Sequence, residues 1–484
     1  MKQNKLLILI NLVFLSYMVS TNTNIACASN ILKNHPNSDK LSEENIATSA
    51  LKNYPEILKF YEKINNQQGK IVESSGFFDI KLKGQYQDKT RGYYDGLIAD
   101  YYLEKQNGIM GSKIYGGWRR SSGDFASYDG NYITNEDGEF RLGASLSLLR
   151  NRDIDAARLD LLNSNLSYQE AQTQIEKLQI EVKRDAIKAY YNWLISGHIY
   201  KTYYNLYELA KKRQEQLKIR NQKGDIANII LVENQRNILQ RNSIMLDAKN
   251  NFDNAAIALS LYFRDDEGSP IVANEKQLPD IDFNNKNINF SNKNINADLE
   301  FAMANRPEIR IIRLQKQQEK NSLAQAKNLY QPRLDISFEA SKDQGYGPPS
   351  RSQANNQLRV DFELPIEQNI AKGKILQSSS KLKLLNIEEQ FYHDKITNEI
   401  NQINNSMVMT VTVYNNYLQE YELSTKLEKA EKERFIQGNS DFFLINLREQ
   451  EVASAKINKL IAYLKYQAFN ADYNVAIFRK QILF

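Results

Sequence analysis

Charge gathers around two isolated glycines. Arg220 stands four residues before Gly224, which Asp225 and Ile226 follow. Arg434 stands four residues before Gly438, which Asn439, Ser440 and Asp441 follow. Glycine suits the left-handed conformation that ends a helix, and an acid just beyond suits the start of the next helix. Those needs account for the glycines and acids as ordinary caps. They leave the repeated arginine open. It is either a helix-end cation, favourable by about 0.3–1 kcal/mol, or a donor of charge-assisted hydrogen bonds to a neighbouring segment.

Reaction chemistry has no comparable cluster. The chain contains no Gly-rich phosphate loop and no Gly-x-Ser-x-Gly elbow. His35, His198 and His393 are scattered and lack metal-ligand spacing. Asp153 and Asp155 read as charges near the start of a long helix, where the dipole favours them. Cys27 is the one cysteine, so a monomer has no internal disulfide. The expectation is a non-enzyme with no catalytic residues, no cofactor and no metal. A formal charge of +5 over 484 residues, with no basic patch, gives no reason to expect nucleic acid.

The elements that hold the two charged turns are long helices. No proline occurs between Pro55 and Pro270, or after Pro365, and the chain beyond Gly373 has one glycine, Gly438. Glycine and proline interrupt helices, so their scarcity permits very long ones. Ile175, Leu178, Val182, Ala186, Ala189 and Trp193 step by threes and fours, as do Ile396, Ile400, Ile403, Met407, Val411, Tyr414, Leu418 and Tyr421. Such a stripe is a seam against other helices. A helix from near Arg150 to Lys223 would reach roughly 110 Å. Two giant helical hairpins are expected, with tips near residues 224 and 438.

Residues 1–28 read as a signal peptide: Lys2 and Lys5, an apolar core from Leu6 to Val19, then Ala26-Cys27-Ala28 as cleavage site. The alternatives are a lipoprotein signal with Cys27 acylated, which Asn24 disfavours because such signals want an aliphatic residue there, and an uncleaved anchor, which the short core disfavours. Two copies of one pattern follow. Asn53-Tyr54-Pro55-Glu56-Ile57 opens a repeat over 29–265, and Asn305-Arg306-Pro307-Glu308-Ile309 opens a repeat over 305–484. Each continues into a moderate helix and then period-two strands, about 77–88 and 140–148 in the first copy and 332–341 and 357–365 in the second. Between the repeats, 266–304 reads as a linker, with an Asn/Lys-rich stretch at 284–296 that wraps the outside of the body. The loop 89–140 is long, and its patches Leu97–Leu103 and Lys113–Trp118 are candidate extra strands. The alternation has two readings. One is a small soluble sheet. The other is membrane barrel wall, with Leu334, Ile336, Phe338, Val360 and Phe362 facing lipid. Four strands per chain cannot close, so a membrane reading requires several chains to share one barrel.

This order resembles the TolC family of outer-membrane channel proteins over nearly all of the chain after the leader. The residues that carry the resemblance are Arg306-Pro307-Glu308-Ile309 and Tyr330-Gln331-Pro332-Arg333-Leu334. They continue with the turn Arg434 to Phe442, Leu447 and Gln450, and Asp472-Tyr473-Asn474 with Ala476. The chain departs from the family pattern at Ile229 and Ile230, where relatives often carry a hydroxyl residue and an acid, and in the size of its first loop. The resemblance implies a mainly α chain with a small β part and a homotrimer. About four strands per chain would make one 12-stranded barrel in the outer membrane, continued by a helical tunnel across the periplasm. It also implies a periplasmic adaptor that meets the inner tips and, through it, an inner-membrane transporter of RND or ABC type. The repeated arginine itself gives a further expectation: Arg220 and Arg434 bond neighbouring hairpins and hold the entrance closed, and an adaptor docked at Gly224–Ile226 and Gly438–Asp441 competes with those contacts. The competing expectations are a periplasmic or surface coiled-coil protein and a periplasmic adaptor.

Overall fold

The structure, a computed structural model, describes residues 40–280 and 294–479. The leader, and residues 284–293 of the Asn/Lys-rich stretch, lie outside the described residues.

The two halves repeat one order. The first runs α1 (Glu43–Asn53), α2 (Pro55–Ser75), β1 (Ile80–Asp88), β2 (Leu97–Gln106), β3 (Lys113–Ser122), β4 (Gly138–Ser147), α3 (Ala156–Gln222) and α4 (Asn228–Leu259). The second runs α5 (Ile295–Asn305), α6 (Pro307–Leu329), β5 (Arg333–Gln344), β6 (Asn355–Glu363), α7 (Asn369–Ile436) and α8 (Phe442–Ala476). Pro55 and Pro307 each occupy the first turn of a helix, where a missing N–H costs nothing. Ile57 and Ile309, two residues on in each copy, are fully buried.

The long helices α3 and α7 have 67 and 68 residues, about 100 Å each. Their returning arms are shorter, 32 residues in α4 and 35 in α8. The rest of each long helix packs on α2 or α6. Strand passes to long helix through one left-handed residue in each half, Asn151 (φ 69°) and Gln368 (φ 56°). Asp155 then caps α3, its carboxylate accepting from Arg158 N at 2.8 Å. Arg158 also donates to the carbonyls of Asn151, Arg152 and Asp153, which fixes the joint.

The seams bury as their spacing requires. Trp193, Leu194, Phe252 and Leu259 form one core with Ile46 and Ile57. Ile396, Ile400, Met407 and Tyr473 form a second with Ile309. Ile195 of α3 joins Tyr414, Leu460 and Tyr463 in a third that binds the halves together. The linker also enters the first core, through Leu278. A Cβ on Gly197 would stand 2.7 Å from Leu278 and 2.8 Å from Phe252, so this mid-helix glycine makes room for the linker. Ala273 of the linker lies in the same core.

The sheet is antiparallel throughout, in the order β1-β2-β3-β4-β5-β6. It has six strands where about four were expected. The four expected strands are present, and the long first loop supplies β2 and β3 as a hairpin between β1 and β4. Strict alternation is broken there by Gly116 and Gly117 in β3 and by Ile98 and Tyr102 on the polar side of β2, which masks the period-two signal.

Candidate functional site

The sheet carries its polarity inside out. One face presents Leu82 and Tyr86 of β1, Tyr101 and Leu103 of β2, Ile114 and Trp118 of β3, and Phe140 and Leu142 of β4. Leu334, Ile336 and Phe338 of β5 and Leu358, Val360 and Phe362 of β6 continue it. Cross-strand register keeps them together: Leu82 pairs with Leu103, Leu103 with Gly116, Gly116 with Leu142, and Phe338 with Leu358. Leu82 is 75% exposed and Leu358 70%. Leu334 and Ile336 are half-buried; Phe338, Val360 and Phe362 are exposed. Tyr101, Trp118 and Phe140 line up across three strands, so these aromatics of the first loop belong to this face, while Tyr102 and Tyr115 lie on the other.

The opposite face holds the cross-strand ion pairs, and around β2 to β4 these are sheltered. Arg141 meets Asp100 at 2.5 Å, Arg119 meets Glu139 at 2.6 Å, and Lys83 meets Glu104 at 2.9 Å. The Tyr115 hydroxyl donates to Glu339 at 2.5 Å. Side chains in the Arg119–Glu139 and Arg141–Asp100 pairs are only 11–15% exposed. Two glycines open the space: a Cβ on Gly143 would collide with the Tyr115 ring at 2.3 Å, and one on Gly117 with Tyr102 at 2.4 Å. A soluble sheet would hide its leucines and expose its arginines. Strands of 9 to 12 residues with this polarity suit a hydrocarbon layer outside and water inside.

The tips lie at the far ends of the hairpins from the sheet. Both use the same closing turn. Asp225 N donates to Arg220 O at 3.0 Å and Gly224 N to Asn221 O at 2.9 Å. In the second tip, Asn439 N donates to Arg434 O at 2.9 Å and Gly438 N to Phe435 O at 3.0 Å. This is a Schellman motif, with each glycine at φ +80°. Both arginines therefore supply the backbone carbonyl that accepts the outer bond of the turn. The acids differ. Asp441 caps α8, accepting from Leu444 N at 2.7 Å. Asp225 does not cap α4: Ala227 holds that position with no side-chain bond, and Asn221 donates to Ile226 O at 2.9 Å instead. Arg434 folds onto its own turn, donating to Asn439 O at 3.2 Å and lying 3.6 Å from Glu431. Arg220, Gly224, Asp225, Gly438 and Asn439 are exposed, and Ile226 and Ser440 half-buried.

One charged cluster escaped the sequence reading. Glu449 of α8, buried to 2% exposure, is gripped by Arg213 of α3 and Arg241 of α4. Burial pushes the Arg241 guanidinium down from its ordinary range, and the Glu449 charge opposes that. The cluster ties the first hairpin to the second above the tips. Its signal was present: Glu449 interrupts the buried series Ile445, Glu449, Ala453, where an apolar residue is expected. Other motif residues are structural too. Arg306 pairs with Glu399 at 2.6 Å and Glu308 at 3.3 Å, and the Tyr473 hydroxyl donates to Asp298 at 2.7 Å. His198 faces the Pro279 carbonyl at 3.1 Å and is pushed down by burial.

No family model matches the sequence, and no curated protein matches it. Solved structures do. The chain is similar to the Campylobacter jejuni CmeC outer membrane channel, at 15% identity over 95% of this chain and 94% of that one, TM-score 0.59. It is similar to the open state of the Neisseria gonorrhoeae MtrE outer membrane channel, at 13% identity over 90% and 88%, TM-score 0.61. It is also similar to the Vibrio cholerae outer membrane protein VceC, at 11% identity over 90% and 95%, TM-score 0.61. The chain has a TolC-like fold.

Proposed function

We propose that this chain is the exit duct of a tripartite efflux or type I secretion system, set in the outer membrane and reaching into the periplasm. The observation that carries this reading is the inverted sheet, apolar where exposed and ion-paired where sheltered, on a chain that also bears two hairpins with helices of about 100 Å. Conduction is passive, through a water-filled lumen lined by the charged face, and energy comes from an inner-membrane transporter of RND or ABC type. The tips Arg220 to Ile226 and Arg434 to Asp441 are the docking points for a periplasmic adaptor.

The assembly is a homotrimer. Among the described residues β1 and β6 have a strand neighbour on one side only, and open edges are not tolerated in lipid. Val232, Leu239 and Leu246 on α4 follow a seven-residue period, and Leu384, Ile387 and Phe391 on α7 also lie along one stripe; all are exposed in the single chain. Neighbouring copies cover these seams.

The test is fractionation followed by reconstitution. A heat-modifiable band in the outer-membrane fraction, and ion conductance in planar bilayers, are expected. Recovery as a soluble protein after cell breakage, with no conductance, would instead support a coiled-coil structural protein or an adaptor.

A further inference from the structure

We propose that the barrel built by this chain has 18 strands, with the β2–β3 hairpin a full part of its wall. This rests on the duct reading above. Three features carry it. First, the hairpin is bonded on both sides, β2 along all of β1 and β3 along β4, with no gap in the order of the sheet. Second, it obeys the same two-faced rule as the other strands. Its outer side adds Tyr101, Leu103, Ile114 and Trp118 to the apolar face. Its inner side adds Asp100, Glu104, Tyr115 and Arg119, which bond to Arg141 of β4, Lys83 of β1, Glu339 of β5 and Glu139 of β4. An external loop has no need for ion pairs that span the wall. Third, six is an even number, so β1 of one copy runs antiparallel to β6 of the next, and three copies close without a parallel seam.

The consequence is geometric. At about 4.8 Å between strands and a tilt of about 40°, 12 strands give a backbone radius of about 12 Å and 18 strands about 18 Å. The lumen section at the outer membrane is then roughly doubled. Four strands in each chain lead to or from a helix, and two do not, so the wall outnumbers the tunnel beneath it. The wide part is the mouth, and the helices set the narrow part.

Cysteine cross-linking in a Cys27→Ala background separates the possibilities. Leu82→Cys with Leu103→Cys reports β1–β2, and Gly116→Cys with Leu142→Cys reports β3–β4. Leu82→Cys combined in turn with Leu358→Cys, Val360→Cys and Phe362→Cys reports β1 against β6 of a neighbouring copy. Copper–phenanthroline oxidation of outer-membrane trimers is expected to form both intrachain bridges. It should also give covalent dimers and trimers for one of the β1–β6 combinations. Gly84→Cys with Tyr101→Cys, one step along the same face, repeats the first test if the leucine variants fail to assemble. Trimers that give β1–β6 bands but neither intrachain bridge would mean a 12-stranded barrel with the hairpin outside. That overturns this inference and leaves the duct standing. A chain that forms no membrane trimers at all overturns both.

Discussion

Three glycines in long helical hairpins do different work, and a single methyl group separates them. Gly224 and Gly438 have nothing within 4 Å of an added Cβ, so alanine there meets only the left-handed backbone. Each substitution is expected to cost about 1–2 kcal/mol, read as faster amide hydrogen exchange around the turn with the rest of the hairpin unchanged. Gly197→Ala instead meets Leu278 and Phe252, so its damage should appear at the linker and not at the tips. Charge shows the same dependence on place. Removing the carboxylate at Glu449 leaves Arg213 and Arg241 buried without it. Glu449→Ala is expected to destabilise the chain by roughly 3–5 kcal/mol, seen as a lower thermal midpoint in detergent. Glu215→Ala, which removes the partner of Lys218 on an exposed helix face, should stay within about 0–1 kcal/mol.

At the scale of elements, the wall and the tips respond to different substitutions. Lysine at Phe338 or Val360, on the exposed apolar face, is expected to cost about 2–4 kcal/mol of barrel stability near mid-membrane, read as loss of the heat-modifiable band at lower temperature. Glu339→Gln lies on the other side of the same strand and should leave insertion intact. At the tips, Arg434 is engaged with its own turn while Arg220 is exposed. If these arginines hold neighbouring hairpins together at rest, replacing both with glutamine raises resting conductance of the reconstituted trimer without dissolving it. Unchanged conductance, with unchanged adaptor cross-linking, leaves them as turn carbonyls and helix-end cations. The helices were legible in the sequence because absent glycine and proline and a steady period act over dozens of residues. β5 and β6 were legible because alternation is strict there. β2 and β3 were only half legible: their inner face uses glycines and tyrosines to make room for ion pairs, and that removes the polar beat that marks a strand. The Glu449 cluster was hidden because it brings together three helices, and one-dimensional spacing does not show which charged residues will meet.

For the whole molecule, the prediction is a trimer. Native mass spectrometry or light scattering in detergent is expected to give three copies, and a folded monomer as the main species would remove the basis for closing the sheet at all. The order of the strands also bears on how the molecule is made. Tyr115 and Glu339, bonded in the wall, lie 224 positions apart. β4 must therefore wait for β5 until all of α3 and α4 and the linker have followed it. Contacts this distant in sequence form slowly, because the chain entropy must be lost before the pairing rewards it. Meanwhile the first four strands can form a sheet on their own, with one greasy side and a bare edge at β4. Such an intermediate invites aggregation. A newly made chain crossing an aqueous compartment would thus depend on an escort that masks that side until the second half arrives.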